Sequence, residues 1–262
     1  MSGIREIASR HNPAYKALRA VVDDPRRQGR ALLDGIHLVT ECLAHGIVPR
    51  QLLVSESGQQ NPEVAEVLGS AAGIECLVLR DSLFREIAGV STPTGIAAVI
   101  DIPVVPAGDA TGDVLMLDAV QDAGNVGAIL RTAAAAGVRE VLLGPGCAGA
   151  WTARVLRAGQ GAHFSLDIRE QVDLAAVLGG GQLRSIATVA REGTGLYDLD
   201  LVGPAVWLVG NEGAGLSPQL MEAATVKATI PLAAGTESLN VAAAVAICLF
   251  EARRQRANPR AR

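Results

Sequence analysis

The sequence predicts an α/β protein of two domains, the second of which is built on a parallel sheet. Short apolar segments alternate with helical segments along most of the 262 residues, and parallel strands separated by helices require crossover connections. At about 150 residues per domain, this length fits one large or two small domains. Hydrophobic residues make up 49% of the chain and aromatic residues 3%, so we expect a packed core of Ala, Val, Leu and Ile.

Residues 1–104 are predicted to form the smaller α/β domain. Hydrophobic residues at helical spacing predict a helix over Leu32–His45. A shorter helix is predicted over Ser82–Ile87, with Asp81 or Ser82 as its N-cap. Strands are predicted at the apolar segments Gln51–Val54, Cys76–Leu79 and Ile96–Ile102. The Pro- and Gly-rich stretch that follows predicts a linker over residues 105–112.

Residues 113–262 are predicted to form the second domain. Val114–Leu117 is apolar throughout, as expected of a strand buried on both faces of a parallel sheet. An Ala-rich helix over Val126–Ala136 ends at Gly137. Further strands are predicted at Glu140–Leu143, Ser185–Val189, Ala205–Val209 and Thr225–Ile230. Further helices are predicted at Trp151–Ala158 and Val241–Arg256.

Composition argues against several classes of protein. The best apolar run, Val241–Phe250, is well short of the roughly 20 residues that a membrane span needs, and the N-terminus has no signal-peptide core. The four cysteines lie far apart without a C-x-x-C pair, and the four histidines show no ligand spacing. We therefore expect a cytoplasmic protein with no membrane span, disulfide framework or metal site.

The charge distribution is uneven although the net charge is −4. Seven basic and three acidic residues occupy positions 1–30, and five arginines follow the last acidic residue, Glu251. Contacts to phosphates and solvated helix ends explain these two basic segments equally well. The overall acidity argues against a broad basic surface for nucleic acid.

Three polar stretches that follow predicted strands contain candidate functional residues. They are Leu117–Ala133, Gly210–Ser217 and Ile230–Val241. Loops at the carboxyl ends of parallel strands are where α/β sheets bind ligands. The polar side chains of interest are Asn125, Arg131, Glu212, Ser238 and Asn240. Taken singly, each stretch is also explained by ordinary structure, such as helix caps at the asparagines and a surface ion pair at the arginine.

A Gly-x-Gly-x-x-Gly pattern over Gly144–Gly149 suggests a second kind of site. It follows a predicted strand, and Asp167 lies 18 residues beyond its last glycine, as in a dinucleotide fingerprint. The pattern follows the second strand of the domain rather than the first, and Pro145 stiffens the loop. A plain Gly-rich turn is the alternative interpretation.

Taken together, the three polar stretches resemble the SpoU (TrmH) family of RNA ribose 2′-O-methyltransferases, within the SPOUT class. Asn-x-Gly-x-x-x-Arg-x-Ala at 125–133, Gly-Asn-Glu-Gly-x-Gly-Leu-Ser at 210–217 and Ile-Pro-Leu…Glu-Ser-Leu-Asn-Val at 230–241 occur in this order. The resemblance covers about residues 112–256, and Arg157–Phe164 resembles a further family segment. Residues 1–104 resemble the family's N-terminal substrate-binding domain, a small α/β fold.

The resemblance implies S-adenosylmethionine as methyl donor, RNA as substrate, a deep trefoil knot in the C-terminal domain, and a homodimer whose sites are completed at the subunit interface. It implies a catalytic centre formed by Asn125, Arg131, Glu212, Ser238 and Asn240. It implies a cofactor pocket formed by Thr188, Gly210, Asn211, Gly213, Ile230, Leu232, Ser238 and Leu239. It requires no metal.

The chemistry of methyl transfer to a ribose hydroxyl constrains these roles. The hydroxyl must be held close to the methyl carbon and must lose its proton as the new bond forms. Arg131 is the family's proposed proton acceptor, but a guanidinium stays charged in proteins. Stabilising the developing alkoxide or holding a phosphate suits Arg131 better, and Glu212 is the better base.

Three hypotheses follow. The two-domain layout favours a ribosomal RNA methyltransferase, with transfer RNA as the alternative substrate. An oxidoreductase that binds a dinucleotide at Gly144–Gly149 is the second hypothesis, and it leaves two of the three stretches unexplained. A non-catalytic RNA-binding protein with the same fold is the third, and the intact set of polar residues argues against it.

Overall fold

The computed structural model describes residues 5–106, 108 and 112–257. The chain divides into two compact units. The first consists of the residues up to Val104 together with Trp151–Phe164, and the second of Val105–Ala150 together with the residues from Ser165 onward. Within the described chain, every helix is too short or too polar to serve as a membrane span.

The first hundred residues contain five strands and five helices in the described part. These are β1 (Arg5–Ile7), α1 (Pro13–Asp23), α2 (Pro25–Gln28), β2 (Arg30–Asp34), α3 (Ile36–Ala44), β3 (Gln51–Ser55), α4 (Pro62–Ser70), β4 (Cys76–Leu79), α5 (Asp81–Ala88) and β5 (Ile96–Asp101). The described residues that follow form β6 (Val114–Leu117), α6 (Ala123–Ala136), β7 (Glu140–Leu143), α7 (Ala153–Gly159), β8 (Asp167–Glu170), α8 (Leu174–Gly180), β9 (Arg184–Val189), β10 (Thr194–Gly195), β11 (Ala205–Val209), α9 (Pro218–Ala223), β12 (Val226–Thr229) and α10 (Val241–Ala257). Short 3-10 turns lie at Gly58–Gln60, Ala162–Ser165 and Leu196–Asp198.

This division corrects the predicted domain boundaries at one segment. We predicted that residues 113–262 form one continuous domain, but Trp151–Phe164 belong to the first unit. Helix α7 buries Val155 and Leu156 and packs against β2. Composition along the chain does not reveal this excursion, because its partners lie more than a hundred positions away. The predicted linker at 105–112 includes residues 107 and 109–111, which lie outside the described residues.

The sheet of the first unit has five strands in the order β1-β4-β3-β5-β2. Strands β1, β4 and β3 run parallel, whereas β5 is antiparallel to both of its neighbours. Leu53, Leu77, Phe84 and Ile87 belong to its core and are at most 2% exposed. Because β3 and β5 are antiparallel, the C-terminal end of β3 lies beside the start of β5.

The predicted helix over Leu32–His45 is wrong in its first part. Strand β2 continues to Asp34, and helix α3 begins only at Ile36. Gly35 stands between them with φ of 101°, a conformation that belongs to neither element. Both leucines of β2 are buried, because helices α1, α2, α3 and α7 all pack against this strand. A strand without alternating polar residues resembles a helical segment in sequence.

An ion pair that is largely buried connects α7 to β2 within the first unit. Arg157 Nη1 donates to Asp34 Oδ2 at 3.2 Å, and the Asp34 side chain is 9% exposed. Asp34 Oδ1 is buried and has no hydrogen-bond partner among the described residues. Burial raises the pKa of Asp34 to about 6, because loss of hydration outweighs the attraction of Arg157.

We expect Asp34 to make the free energy of unfolding depend on pH. Its folded-state pKa of about 6 lies above the unfolded value, so the folded protein binds more protons between the two values. Stability therefore falls as the pH rises, by about 1 kcal/mol between pH 5 and pH 7 from this group. Urea unfolding of the wild type and of Asp34→Asn across this range measures the effect. The expectation would be contradicted if the free energy of unfolding changed with pH in the same way in the two proteins.

The sheet of the second unit has seven parallel strands in the order β10-β12-β9-β11-β6-β7-β8. All residues of β6 and β11 are buried, which confirms the prediction of continuous apolar strands. Strand β11 lies between β6 and β9. From β6 the chain continues to β7 on one side, whereas from β11 it continues to β12 on the other. Such a divergence opens a crevice at the carboxyl ends of the strands.

Helices α6 and α10 pack against each other in the second unit. The N-cap of α6 is Asp122, whose side chain accepts from the backbone N–H of Asn125 at 2.8 Å. This leaves the side chain of Asn125 available for other contacts. At the end of α10, both terminal nitrogens of Arg256 donate to Asp113, at 2.6 and 2.9 Å. The last helix is thereby tied to the start of β6.

Candidate active site

An open pocket of about 590 Å³ lies at the carboxyl ends of β9, β11 and β12. These strands are adjacent and parallel, so the loops that follow them emerge at one edge of the sheet. The beginning of α10 completes the wall. The pocket is lined by Thr188, Val189, Ala190, Val209, Gly210, Asn211, Glu212, Gly213, Ala214, Gly215, Ala228, Ile230, Leu232, Ser238, Leu239, Asn240, Val241 and Ala244.

The structure brings together all eight residues that the resemblance places around a cofactor. Each lines this pocket: Thr188, Gly210, Asn211, Gly213, Ile230, Leu232, Ser238 and Leu239. Three predicted catalytic residues, Glu212, Ser238 and Asn240, line it as well. The lining residues that were not predicted, such as Val189 and Ala244, are neighbours of predicted ones at strand ends or in the last helix.

The segment Gly210–Leu216, here called the glycine loop, forms part of the pocket wall. Asn211 and Gly215 exchange two backbone hydrogen bonds of 2.9 Å. The side-chain oxygen of Asn211 accepts from the N–H of Gly213 at 2.9 Å. Glycine is required at position 210, because a Cβ there would lie 2.2 Å from the carbonyl carbon of Gly215. The shape of the loop thus depends on Gly210 and on the Asn211 amide.

Side-chain hydrogen bonds join three of the predicted catalytic residues. Asn240 Nδ2 donates to Asn125 Oδ1 at 2.9 Å, and Asn125 Nδ2 donates to Glu212 Oε1 at 2.9 Å. Asn240 Oδ1 also accepts from the N–H of Ala242 at 2.9 Å and caps α10. The two asparagines therefore hold the Glu212 carboxylate in a fixed position at the pocket wall. Asn240 is a helix cap and a member of this network at once.

Ser238 and Arg131 do not belong to this network. Ser238 is an exposed residue of the pocket wall. Arg131 is exposed on α6, six residues after Asn125, which is about 9 Å along the helix. Within the part of the chain that the structure describes, no carboxylate pairs with its guanidinium. The alternative interpretation of Arg131 as half of a surface ion pair therefore finds no partner there.

One residue beside the site was not among the predicted ones. Asp118 follows β6 directly, and its Oδ2 accepts from the N–H of Ser217 at 2.7 Å, just after the glycine loop. The available sequence signal is its position, since it is the first residue after a fully buried strand. Thr188 Oγ1, which was predicted at the pocket rim, donates to the carbonyl of Leu208 at 3.0 Å.

The Gly144–Gly149 loop is packed against its own chain. A Cβ at Gly144 would lie 2.9 Å from Leu174 Cδ1. A Cβ at Gly146 would lie 3.2 Å from the Cβ of Ala119. These two glycines allow close packing of the loop rather than the approach of a phosphate.

Other features of a dinucleotide site are also missing around this loop. The following helix, α7, belongs to the first unit and begins only at Ala153, past the last glycine. Asp167, the expected ribose-binding acid, pairs with Arg139 at 3.4 Å. The structure therefore contradicts the dinucleotide interpretation of the motif.

The thiols offer no second reactive centre near the pocket. All four cysteines are free, and burial raises the pKa of Cys147 to about 11 and that of Cys248 to about 12. Both are therefore protonated at neutral pH. In the described ranges, no group of three or more His, Cys, Asp or Glu side chains is placed to hold a metal ion.

The arrangement supports a defined chemistry. The apolar side chains of Ile230, Leu232 and Leu239, with glycine backbone between them, suit a ligand with a flat and partly apolar body. The Glu212 carboxylate, oriented by the hydrogen bond from Asn125, is a candidate proton acceptor. The guanidinium of Arg131, which has no carboxylate partner among the described residues, is suited to a phosphate or a developing oxyanion.

Comparison with known families assigns both parts of the chain. The sequence model described as "SpoU rRNA Methylase family" matches residues 113–250. The model described as "MRM3-like substrate binding domain" matches residues 12–98. The two matches lie on either side of the predicted linker.

Individual relatives are similar over most of the chain. The 23S rRNA (guanosine(2553)-2′-O)-methyltransferase RlmP of Bacillus subtilis is 34% identical, over 85% of this chain and 88% of its own. The uncharacterized tRNA/rRNA methyltransferase slr1673 of Synechocystis is 34% identical, over 97% of this chain and 95% of its own. The AdoMet-bound rRNA methyltransferase of Sinorhizobium meliloti superposes with a TM-score of 0.82 at 28% identity, over 96% of this chain and 98% of that structure.

Proposed function

The chain belongs to the SpoU rRNA methylase family, and we propose that it transfers a methyl group from S-adenosylmethionine to a ribose 2′-hydroxyl of ribosomal RNA. The observation that carries this proposal is that two distant stretches line one pocket, and that Asn125 of the third stretch is hydrogen-bonded to a pocket residue from each of them, Glu212 and Asn240. Ribosomal RNA is favoured over transfer RNA because the similar Bacillus protein is named for 23S rRNA and spans both units. The similar Synechocystis protein is named for either RNA.

The residues present fit S-adenosylmethionine. The pocket volume suits a nucleoside with an amino-acid tail, and its wall alternates apolar side chains with close-packed glycine backbone. Ile230, Leu232 and Leu239 would hold the adenine and its ribose, while the glycine loop, Thr188 and Ser238 would hold the polar groups. When bound, the cofactor supplies an electrophilic methyl group. The similar Sinorhizobium structure contains this cofactor.

The side chains of the hydrogen-bond network would remove the proton of the ribose hydroxyl. Glu212 accepts it, because its carboxylate lines the pocket and one of its oxygens is already held by Asn125. Asn240 orients Asn125 in turn. Arg131 remains charged and would stabilise the developing alkoxide or hold the neighbouring phosphate.

The first unit would bind the RNA through loops at one edge of its sheet. Ser57 Oγ donates to Asp81 Oδ1 at 2.8 Å, which connects the loop after β3 to the start of α5. Gly58 packs so closely on Gly95 that a Cβ would lie 2.4 Å from the Gly95 carbonyl oxygen. This pre-formed polar edge suits exposed loop nucleotides, which is how RNA is commonly recognised.

We also propose that the second unit contains a deep trefoil knot. After β12, at one side of the sheet, the chain returns past the pocket to α10, which packs on α6. On the way, Glu237 pairs with Arg191 of the loop after β9, at 3.7 Å. Such a path beside earlier loops is compatible with threading of the last helix.

A homodimer is the proposed assembly. Phe250 on α10 is 46% exposed and Leu239 at the pocket is 38% exposed, and both would be covered by a second copy. Arg131 lies exposed on α6, the helix that packs against α10, where it could complete the site of the partner. We place the protein in the cytoplasm, where an enzyme acting on ribosomal RNA meets its substrate.

Calorimetric titration tests the cofactor directly. We expect S-adenosylmethionine to bind in the micromolar range and NADH not to bind. If S-adenosylmethionine alone gives no detectable binding, the titration is repeated in the presence of ribosomal RNA. Transfer of labelled methyl groups to ribosomal RNA then tests the reaction, and transfer RNA is the comparison substrate. Binding of NADH alone would overturn the proposal.

Asn240→Ser separates the two roles of Asn240. A serine still caps a helix, but its hydroxyl lies one bond closer to the backbone than the Asn240 amide nitrogen and should not reach Asn125 Oδ1. We therefore expect methyl transfer to fall by at least tenfold with little change in stability. Asn240→Ala should lose the same activity and also about 1 kcal/mol of stability, because the cap is removed. Methyl-transfer rates and urea unfolding measure the two effects. Wild-type rates in Asn240→Ser would show that Asn240 is only a cap.

A further inference from the structure

Two consecutive residues after β6 contact the glycine loop and its flanks at three points. The N–H of Asp118 donates to the carbonyl of Val209 at 2.8 Å, just before the loop. The carbonyl of Ala119 accepts from Asn211 Nδ2 at 2.8 Å, at the start of the loop. Asp118 Oδ2 accepts from the N–H of Ser217 at 2.7 Å, just after the loop. We call Asp118 and Ala119 the loop clamp.

The loop clamp has an unusual backbone. Ala119 has φ of 54°, a left-handed conformation that residues with a Cβ adopt rarely. The chain holds it there, since Gly146 lies against the Ala119 side chain and Ala148 N–H donates to the Val120 carbonyl at 2.9 Å. Gly146 and Ala148 of the Gly144–Gly149 segment therefore lie beside the clamp. Strained backbone persists only where surrounding structure maintains it.

The glycine loop needs such external support. It contains three glycines, so its own backbone has many accessible conformations. It nevertheless carries Glu212, whose position matters for any proton transfer. A hydrogen bond from an N–H to a carboxylate is about twice as strong as a neutral one, so the bond between Asp118 and the N–H of Ser217 is well suited to hold the end of the loop.

We propose that Asp118 is a positioning residue that holds the glycine loop, and with it Glu212 and the cofactor wall, in the geometry needed for methyl transfer. The inference rests on the proposed function of the pocket. Asp118 acts through the backbone of Ser217 and through the loop, without being part of the pocket lining. Its loss should loosen one loop while the buried strands on both sides remain intact.

Two pairs of variants isolate this contact. Asp118→Ala removes the acceptor, whereas Asp118→Asn retains an oxygen that can accept. Ser217→Pro removes the N–H donor at a residue whose φ of −58° suits proline, but its Cδ would be directed at the Asp118 carboxylate, so its effect is also compared in the Asp118→Ala background, where that carboxylate is absent. Ser217→Ala retains the N–H and removes a hydroxyl that makes no capping hydrogen bond. The double variant Asp118→Ala with Ser217→Pro completes a cycle.

We expect Asp118→Ala and Ser217→Pro each to weaken S-adenosylmethionine binding and to lower kcat by about tenfold, as small displacements in a site do. Asp118→Asn should keep most of the cofactor affinity and most of the kcat. Ser217→Ala should have the affinity and kcat of the wild type. The cofactor affinity and kcat of the double variant should be no lower than those of the more impaired single variant. Hydrogen exchange should accelerate in the peptide that covers 210–217 and stay unchanged in β6 and β11.

Separate outcomes test the clamp and the function. If Asp118→Ala and Ser217→Pro leave the exchange of 210–217 and cofactor affinity unchanged, the clamp is wrong. If Asp118→Ala unfolds, wild-type cofactor affinity and wild-type exchange of 210–217 in Ser217→Pro overturn the clamp equally. If the wild type binds no S-adenosylmethionine either alone or with ribosomal RNA, the proposed function fails, and the exchange of 210–217 still decides whether the clamp exists.

Discussion

Arg131→Ala should abolish methyl transfer while leaving the Kd for S-adenosylmethionine within a few-fold of wild type. Arg131 does not line the pocket, so removing its side chain should not affect the cofactor directly. Its exposed guanidinium has no carboxylate partner in the described chain and is available to an anion. Loss of one group that stabilises a developing oxyanion lowers kcat by about 10²–10³. Labelled methyl transfer and calorimetry on the same protein sample measure both quantities.

Two controls accompany the Arg131 variant. Arg131→Lys keeps the charge but not the planar fork, and it should restore part of the activity if charge is what matters. Arg139→Ala removes another exposed arginine, one that pairs with Asp167, and should transfer methyl groups at the wild-type rate. Turnover retained by Arg131→Ala would remove Arg131 from the mechanism.

Glu212→Gln should lower kcat by about 10²–10⁴, the usual contribution of a positioned acid or base. The substitution is nearly isosteric, and its amide oxygen can still accept from Asn125 Nδ2, so the network and the pocket wall should remain. The variant keeps the position of the side chain and loses its ability to take a proton. Single-turnover rates at saturating S-adenosylmethionine measure the chemical step.

The matched control for this variant is Glu237→Gln. Glu237 lies in the loop before α10 and pairs with Arg191, but it does not line the pocket. Loss of this ion pair should lower the methyl-transfer rate less than twofold, because exposed ion pairs contribute little. Near wild-type rates in Glu212→Gln, together with an inactive Arg131→Ala, would exclude Glu212 as the proton acceptor.

Local sequence patterns predicted the elements whose signals are local. The buried strands β6 and β11 are fully apolar, and α6 ends at Gly137 as predicted. Helix α1, which was not predicted, begins with an Asn12 cap and Pro13, a signal that was available in the sequence. The helix over Leu32–His45 was wrong at its start, because burial of β2 on both faces removed the alternation by which a strand is recognised.

The candidate site shows the same limit at the level of single residues. The motifs identified Asn125, Glu212 and Asn240, but capping was an equally good interpretation of both asparagines. The structure assigns the α6 cap to Asp122 and leaves Asn125 free to bridge Glu212 and Asn240. Asp118 was not identified, because its partner Ser217 is 99 residues away.

The sequence by itself determined the α/β class, the buried strands, the identity of the family through its three motifs, and ten of the 18 residues that line the pocket. The tertiary structure alone decided which unit Trp151–Phe164 joins, that the glycines of Gly144–Gly149 serve packing, and how Asp118 and Ala119 hold the glycine loop. The physical reason is the distance along the sequence over which each kind of interaction acts. Propensity, caps and periodicity act over a few residues, whereas burial and hydrogen bonds between distant segments depend on strand order, which no local pattern encodes.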